Sequence, residues 1–430
     1  MADRIAVVGG GWAGIAAAVA ATDAGHAVTL LEMAPQLGGR ARRVDFDDGL
    51  ALDNGQHILI GAYSETLTLM RHIGAEPERL LRRLPLALVD GHGKGLRLEG
   101  GAPVQAFVRA VLANRGWSLA ERIGLLATAL RWRLADFDAA EGRSVAHLTQ
   151  GLSQRVRMSL IEPLCVAALN TPAERASARV FMRVLRDALF SGEGSADLLL
   201  PRVPLSALIP EPAARWLKAR GARVHCGVRV QSLSLRGAVW TIDGEDFERV
   251  VLACSATEAA RLTQAIAPLW SLQAAAFEYE PIVTVYVQSR GTRLAQAMTA
   301  LPVHDAAPAQ FVFDLGVIDG GGPRDGVFAF VVSGARAWVE RGLDATAQAV
   351  LRQATKDLPP TAWRDPPRLL HTLAEKRATF LCKPGLIRPP QAIDVRLVAA
   401  GDYVAGPYPA TLEGAVRSGT AAIATLRAAE

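Results

Sequence analysis

Cysteine is scarce in this chain of 430 residues, which has only four. They lie far apart and form neither a CxxC pair nor a metal-type spacing, at Cys165, Cys226, Cys254 and Cys382. We therefore expect no structural disulfide, no metal site and no disulfide-reductase chemistry. The predicted arrangement is four buried thiols in a reducing compartment.

Long apolar runs are also missing. Half of the residues are hydrophobic, but no stretch approaches the run of about 20 apolar residues that a membrane-spanning helix needs. The first strand pattern begins at Arg4, with no charged leader before it. We expect a cytoplasmic protein. Its formal net charge of +5 is consistent with attraction to an anionic lipid surface, and we expect no nucleic-acid partner.

What the chain does have is a dinucleotide-binding pattern near its start. An apolar strand pattern over residues 4–8 leads into a glycine-rich turn and a helix. The first glycine of such a unit allows the tight turn, the second lets the backbone approach a pyrophosphate, and the third lets the helix pack close to the sheet. The predicted cofactor contacts are Gly9, Gly11, Trp12, Ala13 and Gly14.

Glu32 narrows the choice of dinucleotide. It ends a second apolar run, residues 27–31, where a carboxylate holds ribose hydroxyls and repels a 2′-phosphate. The pocket therefore suits FAD or NAD rather than NADP. Two elements further on distinguish these: Gly38-Gly39-Arg40 and the string Asp53-Asn54-Gly55-Gln56-His57. They resemble signatures of the amine oxidase and phytoene desaturase superfamily of flavoproteins, which implies FAD.

The resemblance extends to the C-terminal part of the chain. A buried strand pattern ends in Gly401-Asp402, and the last helix opens at Leu412. In the superfamily the matching Asp bonds the ribityl chain, the helix start approaches the flavin, and a residue matching Val228 lies near the adenine. The resemblance thus assigns to noncovalently bound FAD a further set of residues: Gly38, Gly39, Arg40, Gly55, Gln56, His57, Val228, Asp402, Thr411, Leu412 and Ala415.

A second dinucleotide fingerprint is absent, because the glycine run 320–322 follows Asp319 rather than a buried strand and is followed by a proline. We therefore expect no nicotinamide domain. An external reductant, with NADPH as the candidate, has to reach the flavin directly through the substrate entrance or act through a partner protein.

The predicted fold is α/β, with a Rossmann-type FAD-binding domain of the amine oxidase and phytoene desaturase type. We assign residues 1–75, 205–265 and 392–430 to this domain, and residues 76–204 and 266–391 to a substrate domain of mixed sheet plus helices. A helical insert is predicted at about 100–195, with a capping box at Ser118 and Glu121 and a further helix start at Thr171-Pro172. Alternating runs over 282–287 and 327–332 predict a second sheet.

Longer strings carry a closer resemblance. Residues 53–63, 162–172 and 406–415 look like the hydroxysqualene dehydroxylases, the squalene-associated flavoproteins of bacterial hopanoid synthesis. The resemblance implies an apolar isoprenoid substrate and removal of the hydroxyl of hydroxysqualene to give squalene. Three other families of the same architecture remain open: carotenoid-type desaturases, amine oxidases, and prenyl-binding proteins of the GDP-dissociation-inhibitor type. Aromatic residues are 6% of the chain, which slightly disfavours the aromatic cage of an amine oxidase.

Dehydroxylation requires a proton donor and a dry pocket, since an allylic hydroxyl leaves readily only when it is protonated. His57 is the first candidate acid, and the alternative is a histidine that bonds backbone or FAD phosphate. Tyr408 and Glu413 are further catalytic candidates. Phe107, Trp117, Trp132 and Phe181 are either lining of an isoprenoid tunnel or plain core.

The insert also carries a basic and aromatic cluster beside Leu119, Leu126 and Leu130. Its members are Trp117, Arg122, Arg131, Trp132 and Arg133. Arg and Trp at an apolar helix edge suit the headgroup boundary of an anionic membrane. The two open readings are peripheral attachment to the inner face of the membrane and a solvated basic face.

Overall fold

The computed structural model describes residues 3–47, 49–358 and 362–428. The described strands, in chain order, are β1 Arg4–Val8, β2 Ala27–Glu32, β3 Arg43–Asp45, β4 Ala51–Asp53, β5 Leu59–Ile60, β6 Leu81–Leu84, β7 Ala87–Val89, β8 Gly95–Arg97, β9 Leu198–Pro201, β10 Arg223–Cys226, β11 Leu233–Arg236, β12 Val239–Ile242, β13 Glu245–Phe247, β14 Arg249–Leu252, β15 Tyr279–Gln288, β16 Met298–Ala300, β17 Phe311–Asp314, β18 Val327–Val332, β19 Arg368–Phe380, β20 Ala392–Asp394 and β21 Leu397–Ala399.

The described α-helices are α1 Trp12–Asp23, α2 Ser64–His72, α3 Pro77–Leu80, α4 Pro103–Ala113, α5 Leu119–Leu134, α6 Val145–Leu148, α7 Gln154–Val156, α8 Glu162–Leu169, α9 Ala178–Phe190, α10 Pro210–Ala219, α11 Ala256–Thr263, α12 Pro268–Ala275, α13 Leu315–Asp319, α14 Arg336–Arg341, α15 Leu343–Asp357 and α16 Leu412–Ala428. A π-helical turn, Arg157–Ile161, joins α7 to α8, and a 3₁₀ turn, Leu205–Ala207, precedes α10. No helix in the described ranges has the length and apolarity to cross a membrane.

A mostly parallel sheet in the order β10-β2-β1-β14-β21-β20 forms the first layer. Its central strand β1 is almost fully buried and pairs in parallel with β2 on one side and β14 on the other. Strand order reverses direction at β1, and in such sheets ligands bind outside the carboxyl ends of the strands at the point of reversal. This confirms the α/β fold class and the Rossmann-type unit.

Helices α1 and α16 pack together against this sheet, and glycine makes their close approach possible. A Cβ on Gly14 would lie 1.8 Å from the carbonyl oxygen of Gly9, and one on Gly419 would lie 2.1 Å from the carbonyl oxygen of Ala13. Any larger residue at Gly419 would force the two helix backbones apart, and any larger residue at Gly14 would force α1 away from the turn after β1. The first and last described helices therefore form one packed unit beside the glycine turn.

The second sheet has the order β16-β17-β18-β15-β19 and is antiparallel. Side chains of β15 alternate between its two faces. Val283, Val285 and Val287 pack with α15 residues such as Val350, whereas Tyr286 packs with the main core on the other face. The sheet predicted from residues 282–287 and 327–332 is confirmed.

Helices α4 to α9 occupy the range 103–190 between β8 and β9. The capping box is confirmed, because Ser118 Oγ accepts from Glu121 N and the Glu121 carboxylate accepts from Ser118 N. The predicted helix start at Thr171 is wrong. The Thr171 hydroxyl donates to Leu169 O and accepts from Cys382 N, so it binds a distant strand end, and the helix begins at Ala178 with Ser177 as its N-cap.

The cysteine prediction needs one correction. All four cysteines are free thiols, and Cys165 and Cys382 are buried as expected. Cys254 is half-buried and Cys226 is exposed, because β10 lies at the edge of the first sheet.

Candidate functional site

A cavity of about 740 Å³ runs from the glycine turn after β1 to the second sheet. It brings together nearly all of the residues that the sequence assigns to FAD. Those that line it are Gly9, Gly11, Trp12, Ala13, Glu32, Gly38, Gly39, Arg40, Gly55, Gln56, His57, Val228, Asp402, Thr411, Leu412 and Ala415. Gly14 lies outside the lining, where it serves the close packing described above.

The end near β1 has the features of a pyrophosphate site. Gly11 is the N-cap of α1, no side chain caps the helix, and its first turn carries no acidic residue. The N–H groups and positive dipole end of α1 therefore remain available for an anion. Gly11 and Gly38 form a backbone bridge, and a Cβ on Gly11 would lie 3.9 Å from Gly39 Cα. The glycines leave a floor of bare backbone that a phosphate group can approach.

Glu32 is buried at the end of β2, and its charge is held by backbone donors. Its Oε2 accepts from Gly10 N at 2.6 Å and its Oε1 from Ala34 N at 2.7 Å. Each carboxylate oxygen keeps a lone pair for a ribose hydroxyl. The residues present thus fit the adenosine and diphosphate parts of FAD.

Arg40 makes different contacts from those expected. Its Nη2 donates to Asp402 Oδ2 at 2.7 Å and its Nη1 to Ala378 O at 2.7 Å. The pair joins the Gly-Gly-Arg loop to the turn after β21. Two donors of this residue, which the resemblance assigns to FAD, therefore go to the protein itself, and they fix Asp402 in the cavity wall.

His57 has the properties of an acceptor rather than an acid. Its Nδ1 lies 2.9 Å from Gly55 O, and a carbonyl only accepts, so Nδ1 carries the proton. Burial lowers the pKa of His57 below its ordinary value of 6.5. The ring is neutral at neutral pH and Nε2 holds a lone pair, which matches the backbone-bonding alternative.

Glu413 is placed as a structural group. It is 1% exposed, and its carboxylate accepts from Glu65 N, Thr66 N and Thr66 Oγ1 at the start of α2 and pairs with Arg417 at 2.8 Å. These donors engage both oxygens and tie α16 to the N-terminus of α2. Glu413 also lines the cavity, so its catalytic role stays a prediction.

Tyr408 lines the cavity between two guanidinium groups. Arg183 Cζ lies 5.1 Å and Arg417 Cζ 5.4 Å from the centre of its ring. Its hydroxyl accepts from Arg183 Nη2 at 3.2 Å. Burial raises the pKa of Tyr408, so the phenol stays protonated and retains its own proton as a donor.

Several cavity residues were not predicted from the sequence. The Asn54 amide donates to Arg40 O and to Glu375 Oε2, and Glu375 comes from β19, far along the chain. Burial raises the pKa of Tyr403, whose hydroxyl is buried in the cavity wall. Thr284 lines the cavity from β15. Asn54 belongs to the Asp53–His57 string, whereas the other three carry no local motif.

The part of the cavity farther from β1 is mainly apolar. Its walls come from the second sheet and from α8, with Leu164, Val166, Met298, Phe311, Val331 and Leu373 among the lining side chains. Phe107, Trp117, Trp132 and Phe181 do not line it. They pack in or against the hydrophobic cores, so the plain-core reading of these four is the correct one.

Comparison with known proteins identifies the family. The sequence profile of the flavin-containing amine oxidoreductases matches residues 12–425. The chain belongs to this family. It is therefore an FAD-dependent oxidoreductase, in which the bound flavin supplies hydride transfer. In the ranges that the structure describes, no cluster of His, Cys, Asp and Glu has the make-up of a metal site.

Within the flavin-containing amine oxidoreductases, the chain is similar along its whole length to hydroxysqualene dehydroxylases. The protein from Rhodopseudomonas palustris is 29% identical, with 98% of each chain covered, and that from Sinorhizobium fredii is 28% identical, also with 98% of each covered. The resemblance found in the three sequence strings is confirmed. A zeta-carotene desaturase from Synechocystis is 27% identical, but the match covers 56% of this chain and 52% of that protein.

Two solved structures share the fold. An oxidoreductase from Methanosarcina mazei superposes with a TM-score of 0.75 at 15% identity, covering 98% of this chain and 100% of that one. Wild-type putrescine oxidase superposes with a TM-score of 0.68 at 16% identity, covering 100% and 99%. At these identities the likeness concerns architecture alone.

Proposed function

We propose that this flavoprotein removes the hydroxyl group of hydroxysqualene to give squalene for hopanoid synthesis. The observation that carries the proposal is that the mainly apolar part of the cavity continues from the predicted FAD-binding end near β1. Full-length similarity to hydroxysqualene dehydroxylases supports it, whereas similarity to a carotene desaturase covers about half of each chain.

The proposed reaction is balanced: the alcohol, a proton and a hydride are consumed, and the unsaturated hydrocarbon and water are formed. The apolar lining of this part of the cavity disfavours water, so a cation formed when the hydroxyl leaves would be protected from recapture. Because His57 Nε2 is an acceptor, it serves to hold a donor group in place rather than to release a proton at neutral pH. Tyr408 keeps its proton and lies in the cavity wall, so it remains the candidate donor among the predicted residues.

The direct test is anaerobic incubation of the FAD-loaded protein with hydroxysqualene, with dithionite in one arm and NADPH in another. We expect squalene to form in the dithionite arm. If squalene also forms in the NADPH arm, NADPH is a competent external reductant. The oxidised protein is incubated with phytoene in parallel. Conjugated polyenes from phytoene, with no squalene from the alcohol, would transfer the assignment to the carotenoid desaturases.

FAD is proposed to be held noncovalently, since the predicted FAD-binding end of the cavity offers hydrogen-bonding groups and bare glycine backbone. Acid or heat should release free FAD from the purified protein. A flavin that stays with the denatured polypeptide would contradict this proposal.

We also infer that the protein attaches peripherally to the anionic inner face of the membrane through α4 and α5. Exposed apolar side chains form a stripe along these helices: Leu112 at 49% exposure, Leu119 at 66%, Ile123 at 56%, Leu130 at 55% and Leu134 at 78%. Exposed arginines flank them at Arg115, Arg131 and Arg133. An apolar stripe with basic flanks matches an anionic bilayer in both polarity and charge.

The structure changes which residues would carry this attachment. Trp117 is buried and its indole donates to Ser159 Oγ, and Arg122 donates to Leu112 O and Trp117 O. Neither is placed to meet lipid. The stripe residues replace them in the proposal.

Co-sedimentation with anionic and neutral vesicles tests the attachment. The double variant Leu119→Ser, Leu130→Ser should lose binding to anionic vesicles, and salt should weaken wild-type binding. The matched control is Leu269→Ser, Leu272→Ser, which removes two leucines of similar exposure on α12. Equal binding of both double variants, or no binding of the wild type, would refute the membrane surface.

A further inference from the structure

Strand β15 places an unpartnered hydroxyl in the wall of the cavity. Thr284 is 1% exposed, and its Oγ1 is buried with no hydrogen-bond partner among the described residues. A buried hydroxyl without a partner destabilises the folded state, which is why most buried hydroxyls are paired in folded proteins. Thr284 lines the cavity, although its Oγ1 itself is covered, so a small local movement on ligand binding would let a ligand there provide the missing partner.

The position of this hydroxyl relative to the cofactor motif is fixed by its neighbour on the strand. Tyr286, two residues along β15, points to the same side and donates its hydroxyl to Asp53 O at 2.9 Å. Thr284 Oγ1 faces the next part of the same string, where a Cβ built on Gly55 would lie 3.4 Å from it. The hydroxyl therefore sits where the Asp53–His57 string meets the second sheet.

The surroundings of Thr284 on the sheet are apolar. It pairs with Val331 of β18 and Leu373 of β19, and both side chains line the cavity with it. A hydroxyl flanked by two branched apolar side chains is a poor site for a charged or highly polar ligand. It matches a long apolar ligand that carries one hydroxyl group.

We propose that Thr284 binds the hydroxyl group of the substrate and so holds its carbon–oxygen bond beside the flavin motif. The inference rests on the proposed function and adds a residue that distinguishes the alcohol from its hydrocarbon product. A site built to bond a hydroxyl rejects the analogue that lacks it, because the buried polar group is then left unpaired. The product would therefore be released more easily than the substrate.

The test compares Thr284→Val, which keeps the shape and removes the hydroxyl, with Thr284→Ser, which keeps the hydroxyl. The matched control is Thr372→Val. Thr372 Oγ1 is also buried without a partner among the described residues, but it lies outside the cavity lining on the neighbouring strand. Hydroxysqualene and squalene are titrated separately into the oxidised FAD-loaded proteins, with flavin absorbance as the signal.

Thr284→Val should weaken binding of hydroxysqualene about tenfold, the size of one hydrogen bond, and leave binding of squalene unchanged. Thr284→Ser and Thr372→Val should bind both ligands like the wild type. If Thr284→Val weakens the binding of both ligands equally, Thr284 contributes by packing alone. If the binding of both ligands is unchanged, Thr284 does not recognise the substrate hydroxyl. A change in FAD retention or in the ligand-free flavin spectrum would assign the hydroxyl to the flavin instead.

Turnover of the same proteins separates this inference from the proposed function. If wild type binds hydroxysqualene more tightly than squalene but forms no squalene under reducing conditions, the dehydroxylase proposal fails while the hydroxyl site stands. If wild type forms squalene and Thr284→Val does so with the same KM and kcat, the hydroxyl site alone fails.

Discussion

Replacing Glu413 tests whether its buried carboxylate holds the fold or takes part in chemistry. In Glu413→Ala, the donors of Thr66 lose their acceptor, and Thr66 itself is fully buried. Each buried donor left unpaired costs about 1–3 kcal/mol. The pair with Arg417 adds little, since that side chain is 36% exposed and stays hydrated. The expected loss of stability from these two donors is about 2–6 kcal/mol.

This loss translates into a measurable shift of the melting temperature. A chain of 430 residues has an unfolding entropy of roughly 0.9 kcal/mol/K, from about 2.1 cal/mol/K per residue. The melting temperature of Glu413→Ala should therefore fall by about 2–7 °C. Thermal unfolding of the FAD-loaded protein, followed by circular dichroism and by flavin fluorescence, measures the shift.

Glu413→Gln is the control, because it keeps one acceptor oxygen for Thr66 and removes the charge. It should melt between wild type and Glu413→Ala and, well below its transition, turn over substrate at the wild-type rate per bound flavin. The reasoning is refuted if Glu413→Gln melts with the wild type, keeps its flavin and loses turnover. Glu413 would then be the catalytic acid that the sequence suggested.

Two further predictions concern buried carboxylates. Glu32→Ala should weaken FAD retention by about 1–3 kcal/mol through the lost ribose acceptor, measured as the dissociation constant of FAD by fluorescence; retention equal to wild type would contradict the ribose assignment. Burial raises the pKa of Asp53 from 3.8 to about 7, so the folded state favours the protonated carboxyl. The wild type therefore loses stability as the pH rises from the ordinary pKa of an aspartate through about 7. Asp53→Asn carries no charge and keeps an acceptor for Leu205 N. Its melting temperature should therefore rise relative to that of the wild type between about pH 5 and pH 8. A difference in melting temperature that stays constant across that range would show that Asp53 does not titrate there.

The cofactor half of the site was predictable because its determinants are local in sequence. The turn at Gly9 to Gly14 and the acid Glu32 belong to one strand–helix–strand unit, whose geometry needs particular residues at fixed spacing. The C-terminal contribution of Asp402 and Leu412 came from resemblance, since neither position carries a signal that is specific on its own.

The substrate half was not predictable, because it depends on pairings between distant strands. Thr284 and Leu373 face each other across β15 and β19, and no local pattern encodes that register. Local signals also failed where a distant partner competed with them. Thr171 has the sequence of a helix cap, but its hydroxyl accepts from Cys382 N instead.

The packing of α1 against α16 sets an order for biosynthesis. The helix that begins at the glycine turn, residues 12–23, is completed by a helix of residues 412–428, and the strand that holds Asp402 in place, β21, pairs with β14. Nascent chains fold from the N-terminus as they emerge, yet this FAD-binding unit lacks its second helix until residues 412–428 have left the ribosome. We therefore expect FAD capture to follow the synthesis of α16, because the layer around the glycine turn is incomplete before then.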